Sequence, residues 1–221
     1  MLQTGPGESA FNMAFDEALL EAAGPLGRPA LRFYGWTEPA ATFGYFQKYA
    51  AVERLTRLRP LIRRPTGGGV VPHDADWTYS VVFPPGHAWY ALRAVASYRR
   101  LHEWLQSAFA RLGVATQLAP VRLKDLPGQC FAGAEQYDLL WKQKKIAGAA
   151  QRRNRLGLLI QGSVQPPPDV TRVAWEQAVC AVAHDQWGVD WVSCHLVFSL
   201  RERATELAGQ KYSQRAYNQR R

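Results

Sequence analysis

RRPTGGGVVPHD, from Arg63 to Asp74, sets two arginines, three consecutive glycines and a His-Asp pair in one short stretch. Consecutive glycines are costly to order and bring no side chains to a core. What they offer is close approach to the backbone and unshielded amides for anionic oxygens. No Gly-Lys-Ser/Thr ending follows, so this is not a P-loop, and the spacing does not fit a Rossmann fingerprint. On these residues alone a ligand loop and a tight strand-to-strand turn are both open. Arg63 and Arg64 alternate along a strand, so only one of them can readily reach a ligand at the loop. His73 and Asp74 form a hydrogen-bonded pair or close a turn.

Outward from the loop, PLIRR reads as the strand that feeds it, and WTYSVVF as a buried strand beyond it. Upstream, ESAFNMAFDEALLEAAG carries an apolar helical stripe through Phe11, Ala14, Phe15, Ala18, Leu19 and Ala22, stopped by Gly24 and Pro25. Asp16 and Glu17 on that helix read as a solvated edge. ALRFYGW and AATFGYF are short strands, and a short helix lies near YAAVERLTRL. Downstream, ASYRRLHEWLQSAFARLG is the longest helix, ended by Gly113. The strands VATQL, YDLLWKQ, KKIAGAAQRR and LGLLIQGSV follow. KQKK lacks a good turn residue, which leaves the register of that hairpin open. QPPPD interrupts regular structure, and two helical segments, TRVAWEQAVCAVAHDQW and VFSLRERATELAGQKY, come after it. The order predicts a single α+β domain over residues 1–221, with a mainly antiparallel, mixed sheet flanked by helices.

The 221 residues are 47% hydrophobic and 20% charged, as in a globular protein. No apolar run reaches membrane-spanning length, and the first residues lack the pattern of a signal peptide, so a cytoplasmic protein is expected. Three cysteines, Cys130, Cys180 and Cys194, are too few for a disulfide framework. Cys180 and His184 lie one helical turn apart and Cys194 adjoins His195, but no compact ligand pattern exists; packing is the expected role and no metal is expected. The formal charge of +9 suits an acidic partner. Arg152, Arg153 and Arg155, and the tail KYSQRAYNQRR, read as solvated basic surface. No nucleic-acid motif is present.

KKIAGAAQRR is the second stretch suited to chemistry. Its small residues make a smooth wall for an extended apolar chain, and a lysine can neutralise an anion or a developing oxyanion at the end of that chain. Lys144 and Lys145 face opposite ways on a strand, so one of them is solvated.

Together these stretches resemble the superfamily of lipoate–protein ligase A, octanoyltransferases and biotin–protein ligases. RRPTGGGVVPHD fits its Arg-Arg-x-x-Gly-Gly-Gly-x-x-x-His-Asp loop, and KKIAGAAQRR its lysine motif. NMAFDEALL is similar to its first helix, PAATFGYFQ to its Pro-x-x-x-x-Gly-x-x-Gln segment, and the tail to the closing segment of several members. The resemblance implies a tunnel for a lipoyl or octanoyl chain, lined by Arg64, Gly67, Gly68, Gly69, Val70, Val71, Pro72 and His73 and by Ala147, Gly148 and Ala150. It places Lys145 at the activated carbonyl. QCFAGAEQYDLL is similar to the Cys-Phe segment of cysteine-dependent members and so puts an acyl-accepting nucleophile on Cys130, although the Pro and Ser of that segment are replaced by Gly and Ala here. A lone cysteine can equally be a small buried hydrophobe.

The implied reaction is transfer of an octanoyl or lipoyl group to a lysine of an acidic lipoyl-domain protein of the 2-oxoacid dehydrogenase or glycine-cleavage type. An acyl carrier protein is a candidate donor, and no permanently bound cofactor, nucleic acid or membrane is expected. The alternative is a lipoate–protein ligase using ATP and Mg²⁺ through an adenylate. Such ligases usually need an accessory domain, and none is expected in these 221 residues. A non-catalytic basic binding protein is the alternative of another class.

Overall fold

The computed structural model describes residues 1–122, 133–194 and 197–220. Ten strands and the helices between them follow in the order β1 (Leu2–Gly7), α1 (Ser9–Glu21), α2 (Ala23–Leu26), β2 (Ala30–Trp36), β3 (Ala40–Phe43), α3 (Tyr49–Val52), β4 (Leu61–Arg63), β5 (Val71–His73) and β6 (Trp77–Phe83). Then come α4 (Ala88–Ala91), α5 (Ala94–Arg111), β7 (Gln117–Leu118), β8 (Leu139–Trp141), β9 (Lys144–Asn154), β10 (Gly157–Val164), α6 (Arg172–Trp187), α7 (Val197–Leu207), a π-helical turn at Ala208–Tyr212 and α8 (Arg215–Asn218).

The main sheet has the order β1-β2-β6-β10-β9-β8-β7, antiparallel throughout except for the parallel β1–β2 pair. Its central strands are buried on both faces, and the period of two in their sequences sorts the side chains. Leu31, Phe33, Val81, Leu158 and Ile160 meet Trp104, Leu105 and Phe109 of α5 and Trp175 of α6. Tyr34, Val82 and Leu159 meet Phe15 and Leu19 of α1 and Leu200 and Ala204 of α7 on the other face. The expected α+β architecture with a mainly antiparallel, mixed sheet is therefore present. Among the described residues no helix is long and apolar enough to cross a membrane.

β1 is an addition to the sequence reading. Gly5, Pro6 and Gly7 look like turn residues, but an edge strand tolerates them, and the register shifts between Gln3 and Gly5. The hairpin left open at KQKK turns on Lys142 and Gln143, whose φ angles are 47° and 65°. Two consecutive left-handed residues make the tight hairpin connection usually given to Asn-Gly, and they pair Trp141 with Lys144.

Asp16 corrects the sequence reading. It is fully buried, paired to Arg32 at 2.7 Å, and also accepts hydrogen bonds from Tyr34, Ser80 and Gln161. Arg32 points from β2 into the α1 face and needs a carboxylate there. Glu17 is no solvated edge either: it accepts from Lys211 at 2.8 Å and from the Tyr212 hydroxyl at 2.8 Å, which docks the chain's last segment on α1.

Candidate functional site

The glycine loop joins β4 to β5 in a small sheet of order β4-β3-β5. Arg63 and Arg64 do diverge. Arg63 is fully buried; its guanidinium donates to the carbonyls of Tyr45 (2.6 Å), Gln47 (2.7 Å) and Asn218 (2.9 Å). Its amide donates to the Asn218 side chain at 2.8 Å, so the tail is locked to the strand that feeds the loop. Arg64 turns into the loop and donates to the carbonyls of Gly67 (2.6 Å) and Gly69 (2.7 Å) and to Thr42 Oγ1 at 3.2 Å. With carbonyls drawn onto Arg64, the glycine stretch has a set shape.

The loop also depends on bare backbone just past β3. A Cβ on Gly44 would sit 1.9 Å from the Gly68 carbonyl oxygen, and Gly68 itself has a φ of 86°. Tyr45 N donates to Thr66 O at 2.8 Å across this contact. Gly68 thus uses the conformational freedom that glycine provides.

His73 does not pair with Asp74, which is exposed; its partner is Asp76. The ring nitrogens lie 2.9 Å from Asp76 Oδ2 and 2.9 Å from Thr42 Oγ1, and the ring stacks on Trp36 at 3.8 Å. Asp76 Oδ2 also accepts from Ser163 at 2.6 Å. One residue pair earlier on β10, Gln161 Oε1 accepts from Thr66 of the loop at 2.7 Å. The loop is thereby fastened to β10 at both ends.

That attachment brings the two sequence motifs together. Across the β9–β10 ladder Gly148 is opposite Ser163 and Ala150 opposite Gln161, and opposed residues share a face. The Gly148–Ala150 wall therefore runs beside the two side chains that anchor the loop. Ala147, facing the other way, is fully buried in the α5–α6 core, and Val70 is buried in the small cluster under β3 and β4.

Lys145 and Lys144 separate as expected. Lys144 is exposed, whereas the Lys145 side chain is only 7% accessible. Its Nζ lies 2.7 Å from Oδ2 of the fully buried Asp138. A Cβ on Gly148 would meet Lys145 Cε at 2.7 Å and Nζ at 2.8 Å, so the ammonium lies directly over this glycine.

Asp138 organises a polar cluster that the sequence reading did not single out. It accepts from Glu135 N at 2.6 Å and from the Tyr98 hydroxyl, whose oxygen in turn accepts from Ala149 N at 3.3 Å. Burial, followed by the neighbouring Asp138 carboxylate, pushes the Tyr98 phenol well up, so it stays protonated and donates. His102, fully buried one helical turn along α5, lies 2.9 Å from Tyr98 O through Nδ1. Burial pulls its pKa down, against an opposing pull from Asp138, and its Nε2 has no partner among the described residues. A carboxylate inside the otherwise apolar YDLLW strand was the available sequence signal, because such a group is buried only with partners.

Cys130 lies outside the described residues, as does His195. Cys180 and Cys194 are half-buried free thiols, and burial raises the Cys180 thiol to about 11. Among the described residues no cluster of His, Cys, Asp and Glu could hold a metal ion.

The arrangement is a buried ammonium above a glycine, a smooth β-strand wall and a glycine loop whose carbonyls are held by Arg64. Residues 8–186 match the model of the lipoyl protein ligase A/B catalytic domain. The chain belongs to that family. It is 36% identical over 174 residues to octanoyltransferase LipM of Macrococcus caseolyticus, covering 72% of this chain and 63% of that protein. With octanoyltransferase LipM of Carboxydothermus hydrogenoformans the identity is 36% over 170 residues, covering 74% and 63%. The chain thus spans 63% of the length of either relative. The fold is that of protein Ta0514 from T. acidophilum with bound lipoic acid (TM-score 0.80, 22% identity, 100% of this chain and 97% of that one). It is likewise that of a lipoate-protein ligase A bound with ATP (TM-score 0.78, 22% identity, 99% and 96%). Within this family frame, the loop and the lysine strand are the two parts that the β9–β10 ladder joins.

Proposed function

We propose that the protein is an acyltransferase that moves an octanoyl or lipoyl group onto a lysine of a lipoyl-domain protein through a thioester on Cys130. The observation that carries this reading is the similarity to octanoyltransferase LipM of two organisms over about three-quarters of the chain, 72% and 74%. The geometry is compatible with it. An acyl chain would lie along Gly148 and Ala150 under the glycine loop, with its carbonyl at the Lys145 ammonium.

In the first step the Cys130 thiolate attacks the carbonyl carbon of an acyl thioester, for which an acyl carrier protein is the candidate donor. The new C–S bond forms, the donor's C–S bond breaks, and the donor leaves as a thiolate that takes up a proton. In the second step the neutral amine of the recipient lysine attacks the Cys130 thioester. Nitrogen loses its proton as the amide forms, and the Cys130 thiolate is regenerated. Charge grows on the carbonyl oxygen in both steps, and the Lys145 ammonium opposes it without reorganisation. Asp138 fixes where that ammonium stands. The formal charge of +9 favours approach of an acidic lipoyl domain.

Mass spectrometry after incubation with an octanoyl carrier protein tests the covalent route. An octanoyl adduct confined to the peptide containing Cys130 is expected. Transfer by Cys130→Ser at the parent rate would overturn the thioester.

A further inference from the structure

A cavity of about 410 Å³ lies away from the candidate site. It is bordered by the start of β2, the end of β6, α4, α5, α6 and the segment 189–194. Phe83 of β6 lines it, whereas Ser163 of the candidate site pairs with Thr78 at the other end of the same strand. Five residues of strand separate the two ends by roughly 17 Å.

The wall is aromatic. Trp89 stacks on Phe83 at 4.7 Å, and Trp89, Trp104 and Trp187 stand edge to face with interplanar angles of 72°, 80° and 76°. Rings so tilted make an irregular apolar hollow, not a parallel-sided slot, and a flexible chain fills such a shape better than a flat ring. Protein interiors seldom leave this much space unfilled. The volume falls in the range of small-molecule sites.

Positive charge borders the hollow. Arg28 and Arg100 both line it, and neither has an ion-pair partner among the described residues. The Arg100 guanidinium is held over the faces of Trp89 and Trp187, 5.3 and 5.4 Å from their centroids. His87 accepts from Trp89 N through Nδ1, which leaves its other ring nitrogen as the donor when the ring is neutral. Burial and then the Arg100 charge pull its pKa down, so the neutral form persists at neutral pH. Asp190, the one carboxylate among the lining residues, sits at the exposed rim facing His184 at 3.5 Å.

We infer that this cavity is a binding site for a fatty acid of about ten carbons, with the tail among Trp89, Trp104 and Trp187 and the carboxylate on Arg100. A planar guanidinium fixed on two indole faces presents its donors as a fork for a carboxylate. The inference does not depend on the acyltransferase reading.

Isothermal titration of the full chain with decanoate, and with decan-1-ol as its uncharged counterpart, tests it. Decanoate should bind saturably at one per chain and more tightly than the alcohol. Arg100→Gln should weaken decanoate by about tenfold or more and leave the alcohol unchanged. Ala88→Trp, which places a large ring at an exposed lining position, should abolish both; the melting temperature of each variant confirms that it is folded. Absence of saturable decanoate binding would overturn the site, as would equal affinity for acid and alcohol. Decanoate binding unaffected by both substitutions would place the acid elsewhere, at the glycine loop. A parent chain that sediments as a dimer, with Ala88→Trp monomeric, would make a second copy the occupant and equally overturn it.

Discussion

Lys145 Nζ stands 2.7 Å from Asp138 Oδ2, and a Cβ added to Gly148 would come within 2.8 Å of the same nitrogen. The ammonium is thus fixed from one side by charge and from below by a missing side chain. Asp138 is completely buried and Lys145 nearly so. Removing one partner takes the ion pair away from the other, which stays buried. Asp138→Asn and Lys145→Met should each lower stability by about 3–5 kcal/mol in denaturant titrations. The double variant should regain at least half of the loss and still transfer no acyl group. Full activity in that double variant would remove Lys145 from the chemistry.

Gly148→Ala separates position from stability. The atoms its methyl would strike are Cε and Nζ at the end of Lys145, with Asp138 Oδ1 next at 3.1 Å. The stability loss should stay below the about 3–5 kcal/mol expected on removing either charge, while transfer falls about tenfold or more because the ammonium is displaced. The exposed Lys144, changed to alanine, should remain within a few-fold of the parent. Steady-state rates of all three proteins, with their melting curves, check this.

Asp16 makes a structural prediction free of any assumption about activity. Its carboxylate serves Arg32, Tyr34, Ser80 and Gln161 in a fully buried position. Asp16→Ala should cost about 3–5 kcal/mol, where a solvated helix edge would lose less than about 0.5. Urea unfolding reads the difference.

His102 predicts an acid-sensitive stability. Burial holds its folded pKa below the ordinary value of 6.5, so the unfolded chain binds the proton first. Its contribution is present above pH 6.5 and is lost as pH falls from there towards the folded pKa. The parent should therefore lose more stability than His102→Gln between about pH 7 and pH 5. Equal slopes of melting temperature against pH in the two proteins would contradict this.

Much of this was legible in the sequence, for identifiable reasons. ALRFYGW and WTYSVVF became β2 and β6 because apolar runs rich in aromatic and β-branched residues suit strands buried on both faces. The separation of Lys144 from Lys145 followed from strand alternation alone. The illegible parts depend on contacts distant in the chain. Asp16 reads as exposed until Arg32 is known to point at it, and His73 reads as pairing with Asp74 or closing a turn with it until Ser163 and Thr78 bring their hydroxyls to Asp76. The Tyr98–Asp138–Lys145 cluster joins α5, β8 and β9, and no local pattern announces it. The cavity walled by Trp89, Trp104 and Trp187 is also invisible in sequence, where each tryptophan is simply a core residue.

The most direct test of the central claim is the intact mass of an acidic lipoyl domain after incubation with the protein and an octanoyl carrier protein, without ATP. One octanoyl group on the domain's lysine is predicted, disappearing when Lys145 is replaced by methionine. An unmodified domain under these conditions, acylated only when free lipoate and ATP are supplied, would contradict the account.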